Sequence, residues 1–154
     1  PAFHRDRSSE RHDAMIPVLL LVGALGAVDP QIDALAADAA GVARARYAPN
    51  VRLIRTMCSG RVDPQFVLSA FKKGADGVLL CGCHPRDCHY TSGNYKALRR
   101  YTLLKKMLGQ MGFEDDRLRL EWISASEAEK FRRVVEDMTE RVRRLGPLEL
   151  DGGE

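Results

Sequence analysis

The chemistry this chain can offer is concentrated in four cysteines, at positions 58, 81, 83 and 88, three of them within eight residues. Four thiolates satisfy a [2Fe–2S] or [4Fe–4S] cluster. A structural zinc ion takes the same ligand type but commonly pairs its cysteines as C-x2–4-C, whereas the spacing here is C-x22-C-x-C-x4-C. A thiol–disulfide enzyme is expected to carry C-x-x-C beside a βαβ unit, and the chain has no such pair. For Cys81 the plainest reading is a small buried apolar residue on a core strand. His84 and His89 each directly follow a cysteine, which makes ring reach for a two-histidine, Rieske-type site awkward. They read as hydrogen-bonding neighbours of a cluster or as surface residues.

The elements that must position these thiols can be read from periodicity. Four short apolar runs, Ile16–Val22, Val51–Met57, Gly77–Cys83 and Leu118–Ser124, alternate with four helical patterns. The helices are expected over about Pro30–Arg44, from Asp63-Pro64 to Gly74, over about Ser92–Met111, and from a capping box of Ser126 and Glu129 to Gly146-Pro147. Strict alternation predicts an α/β fold with a parallel sheet and helices on both faces. The first and third strands are apolar throughout, while the second carries Arg52 and Arg55 and the fourth carries Arg119 and Glu121. This predicts a flavodoxin-like, doubly wound, four-stranded sheet of order 2-1-3-4, its switch point between strands 1 and 3. Ligands bind such sheets at the carboxyl ends of the strands. Cys58 follows strand 2, Cys81 and Cys83 end strand 3, and Cys88 lies in the next loop, so all four are expected at one end. Residues 1–14 read as a disordered polar leader, 15–146 as the single domain and 147–154 as a loose tail.

Composition narrows the setting. Lys and Arg number 24 against 21 Asp and Glu, leaving +3, too little to imply nucleic acid. The basic start followed by MIPVLLLVGALGA resembles a signal peptide, but the run is short and Gly-bounded, as a buried first strand is. No run reaches the roughly 20 apolar residues of a membrane span. A cytoplasmic protein is expected, in which clustered thiols serve metal or redox chemistry rather than disulfides. Gly23-Ala-Leu-Gly26 lacks the third glycine of a dinucleotide fingerprint. Lys96, Arg99, Arg100, Lys105 and Lys106 form a run with no intervening acid. Such a run is either a solvated helix face or a dock for an acidic partner.

Three segments, MCSGRVDPQFVLSAFKKGADGVLL, GCHPRDCHYTSGNYKALRR and LRLEWISASEAEKF, resemble the iron–sulfur delta subunit of methyl-viologen-reducing hydrogenase, from about Ala36 to Leu145. The resemblance implies a small [2Fe–2S] protein. It would relay electrons between a hydrogenase or formate dehydrogenase and the flavin-bearing subunit of a heterodisulfide reductase-type complex. By position it implies that Cys58, Cys83 and Cys88 are cluster cysteines, with Ser59, Gly60, His84 and His89 as neighbours. Arg86 stands where the family usually has glycine. The family's further cysteines after strand 1 have no counterpart, since Gly23–Ile32 reads GALGAVDPQI. Cys81 is therefore expected to supply the fourth thiolate, with Asp29 as an alternative oxygen ligand. The other reading is a non-redox scaffold subunit carrying structural zinc or no metal.

Overall fold

The computed structural model describes residues 18–23 as backbone, together with residues 51–124 and 126–149. The strands are β1 (Val18–Gly23), β2 (Val51–Thr56), β3 (Gly77–Gly82) and β4 (Leu118–Trp122), and the helices are α1 (Pro64–Lys72), α2 (Gly93–Gln110) and α3 (Ala128–Leu145). All strand pairs are parallel, in the order β2-β1-β3-β4. That order puts the strands with charged residues at the edges and the apolar ones inside, as their sequences require.

The doubly wound, flavodoxin-like class is corrected. Among the described residues three helices, not four, accompany the strands. The strands with described side chains form one parallel pair, β3–β4, with β2 standing apart and joined to it only through the backbone of β1. The two described crossovers, β2 to β3 through α1 and β3 to β4 through α2, both run on one face, so they wind the sheet in one direction only. A second winding direction would be carried by the return from β1 to β2, residues 24–50. The helix expected over Pro30–Arg44 lies outside the described residues.

β3 is buried along its whole length, and its alternation divides the core. Val78 and Leu80 join Leu118 and face Val67, Ala70 and Phe71 of α1 and Leu104 and Leu108 of α2. Leu79, Cys81 and Cys83 point the other way, into a core with Phe131, Val135, Met138 and Val142 of α3. A fully buried side chain of this kind contributes about 1.5–3 kcal/mol. The ion pairs along α3, such as Arg132 with Glu129 and Glu136, are exposed and worth roughly 0–1 kcal/mol each. The apolar seam therefore holds α3 in place.

Asp63 caps α1 as expected, its Oδ1 accepting from the Gln65 N–H at 2.8 Å, with Pro64 at the first helical position. The capping box expected at Ser126 and Glu129 does not form. α3 begins at Ala128 without a side-chain cap, and Glu129 is drawn to Arg132 and Arg133. Glu127 turns back instead, accepting the Ser124 N–H at 2.6 Å. Among the described residues no helix is long and apolar enough to cross a membrane.

Candidate metal centre

Cys58 leaves the end of β2 and caps a 3-10 turn, Ser59–Arg61, with its Sγ accepting from the Gly60 N–H at 3.4 Å. Cys83 directly follows β3, and Cys88 closes the loop that leads to α2. All four cysteines are free and buried, at 5% exposure for Cys58, 1% for Cys81, 5% for Cys83 and 7% for Cys88. Three of them meet. The thiols of Cys58 and Cys83 both hydrogen-bond to Cys88, which stands between them. Burial, then repulsion from Cys88, pushes the Cys83 thiol up to about 12. Burial also raises Cys58, partly offset by the Gly60 N–H.

Cys88 goes the other way. Burial would raise it, but the backbone N–H groups of Asn94, Tyr90 and Gly93 and the Cys83 thiol outweigh that and lower its pKa. Its sulfur thus sits in the first turn of an 18-residue helix, where free N–H groups and the helix dipole favour a thiolate. The approach is so close that a side chain at Gly93 has no room: a Cβ there would lie 2.2 Å from Cys58 Sγ and 3.0 Å from Cys88 Sγ. The sequence marks Gly93 only as a glycine at a helix start, so periodicity misses it.

Cys81 shares the face of Cys83, as two-residue spacing on a strand demands, but its surroundings differ. Burial raises its pKa first, then Glu121, against Arg119 and Lys130; none of the other cysteines contributes. It lies one pleat deeper, under α3. Among the other expected neighbours, Gly60 packs on the backbone of Gly93. Ser59 is buried over Gly82, its hydroxyl without a hydrogen-bond partner among the described residues. His84 is tied down twice, its carbonyl accepting from Asn94 Nδ2 at 2.8 Å and its Nε2 meeting Glu127 Oε2 at 2.7 Å. His89 is exposed, edge-on to Tyr90. Asp29 lies outside the described residues.

Arg86 and Thr91, on either side of Cys88, are the non-glycine residues with positive φ among the described residues, at 78° and 58°. A left-handed conformation costs a residue with a Cβ roughly 1–2 kcal/mol, which explains why glycine suits position 86. Arg86→Gly is therefore expected to raise stability by about 1 kcal/mol in denaturant unfolding. At an ordinary loop position the added chain entropy of glycine would lower stability instead, and that result would show that the loop is unstrained.

The donor set, three neighbouring thiols with backbone N–H groups beside them, has the chemistry of iron–sulfur ligands. Among the described residues no group of three His, Cys, Asp or Glu side chains has the geometry to hold a single metal ion. Backbone N–H groups aimed at sulfur are the hydrogen bonds that tune such centres. An open cleft of about 490 Å³, lined by Cys58, Tyr90, Gly93 and the cations Arg61, Lys96 and Arg100, leads from this row to solvent.

The chain is 54% identical over 114 residues to the iron-sulfur subunit of the F420-non-reducing hydrogenase vhc of Methanococcus voltae, covering 74% of this chain and 79% of that one. It is 52% identical over 116 residues to the iron-sulfur subunit of the F420-non-reducing hydrogenase of Archaeoglobus profundus, covering 75% and 85%. It is also 46% identical over 112 residues to one subunit of the ferredoxin/F420H2-dependent CoB-CoM heterodisulfide reductase of Methanosarcina acetivorans, covering 73% of this chain but 14% of that longer one. Residues 27–146 match the family described as methyl-viologen-reducing hydrogenase, delta subunit, and the chain belongs to that family.

Proposed function

We propose that this chain is an electron-relay subunit with a [2Fe–2S] cluster held by Cys58, Cys83 and Cys88. The observation that carries the reading is the group of three neighbouring thiols, Cys58 among them lining an open cleft, in a chain whose relatives are named iron-sulfur subunits. The cluster, when bound, supplies one-electron redox chemistry. The residues do the rest. Gly93 gives the sulfurs room, and the N–H groups of Tyr90, Gly93 and Asn94 lower the pKa of Cys88. Asn94 and Glu127 fix the ends of the ligand loop through His84. Cys81, buried beside Glu121 under α3, lies apart from these three. The alternative oxygen ligand read from the sequence, Asp29, lies outside the described residues.

The partners we propose are a hydrogenase or formate dehydrogenase on one side and a flavin-bearing heterodisulfide reductase-type subunit on the other, in a cytoplasm that keeps thiols reduced. The match to a short stretch of a longer reductase subunit supports this pairing. Anaerobically prepared protein is expected to contain about two irons and two acid-labile sulfides per chain and to give an EPR signal on one-electron reduction. Tightly bound zinc without visible absorption, or no stoichiometric iron, would overturn the reading.

A further inference from the structure

We propose that the outward face of α2, running from the mouth of the cysteine cleft to Met107, is a docking surface for an acidic protein partner. The inference rests on the reading of this chain as a subunit of a larger assembly. The sequence of α2 contains five cations and no acid. Among the described residues none of the five forms an ion pair; Arg100 donates instead to the carbonyls of Gly60 and Val62, and Lys105 to Tyr101. This differs from α3, where arginines and acids pair along the surface.

The apolar residues of α2 are also unevenly used. Ala97, Leu104 and Leu108 are buried against the sheet, but Leu103 is 63% exposed and Met107 47%. Residues four and seven apart share a face, so Lys96, Arg100, Leu103 and Met107 form one stripe along the helix. Its first two members also line the cleft over Cys58, which makes the stripe continuous with the thiol site. Arg99 and Lys106, both exposed, flank it. A solvated helix face has no need of exposed Leu and Met, and a second copy of the same face would bring like charges together. A surface combining apolar side chains with carboxylates satisfies both features. Docked there, it would approach the site on the side of Cys58, which lines the cleft.

The test uses the tagged full chain expressed in its native cells and purified anaerobically with its assembly. The variant Arg99→Glu/Lys106→Glu is expected to recover the partner subunits in at least about tenfold lower yield, and the paired variant Leu103→Ser/Met107→Ser in reduced yield. Lys72→Glu/Lys73→Glu, at the end of α1, should recover them as the wild type does. Zero-length carbodiimide cross-linking should join Lys96 or Lys106 to carboxylates of another subunit. Equal recovery by Arg99→Glu/Lys106→Glu, or cross-links only between copies of this chain, would overturn the proposal. A wild-type chain that joins no assembly would overturn both this and the subunit reading. Iron content, equal in variant and wild type, separates loss of docking from loss of the cluster.

Discussion

Cys88→Ala is expected to lower the iron content of anaerobically prepared protein by more than about tenfold, whereas Cys81→Ala should leave it unchanged. Both residues are buried thiols on the same side of the sheet, so composition and burial do not distinguish them. Their partners do. Cys88 receives the thiols of Cys58 and Cys83 and three backbone N–H groups, and its pKa is lowered. A ligand must be deprotonated to bind metal, so a thiol whose pKa is lowered gives up its proton more readily. Even an outer hydrogen-bond partner of a metal site is worth about 10–100-fold in affinity, and a central ligand more. Cys81 stands apart, buried beside Glu121 under α3, and no other cysteine acts on it. Its loss should appear as a small cavity and a slightly lower unfolding midpoint. Iron lost from Cys81→Ala with the fold intact would place that sulfur in the ligand set. Iron retained by Cys88→Ala would remove the row of three as the centre.

The contrast between these cysteines also shows how far the sequence reaches. Alternation along β3 was enough to put Cys81 and Cys83 on one face. It could not say that α3 covers the first and leaves the second at the rim, because that depends on where Phe131 and Val135 land. The signals of α1, a capping Asp before Pro, were legible because they act within a few residues. Ser126 and Glu129 carry an equally good local pattern, yet tertiary partners prevailed: Glu127 bonds to Ser124 and His84, and Glu129 to two arginines. Charge on β2 and β4 indicated the edge strands. The class built on that order did not hold, because a count of alternating segments assumed a helix over Pro30–Arg44 and a second winding direction, neither among the described elements. Chain proximity brought Cys83 and Cys88 together on paper. The arrival of Cys58 depends on strand order.

Gly93→Ala is expected to empty the site while sparing the fold. Alanine at the start of α2 would ordinarily help, since glycine costs a helix about 1 kcal/mol relative to alanine, and the backbone here is not in the positive-φ region. The obstacle is the neighbours: the added Cβ would sit 2.2 Å from Cys58 Sγ and 3.0 Å from Cys88 Sγ. Both are ends of side chains, which can rotate away at modest cost. Rotation moves two of the three proposed ligands off the row, so iron content should fall at least about tenfold while circular dichroism and the unfolding midpoint change little. Gly60→Ala makes the opposite case. Its Cβ would meet the backbone of Gly93 at 2.7–3.1 Å, and backbone in packed structure has nowhere to rotate, so the loss there should be in stability first. If Gly93→Ala binds iron as the wild type does, the cluster is not held between Cys58 and Cys88. If it unfolds, the glycine serves the scaffold rather than the site.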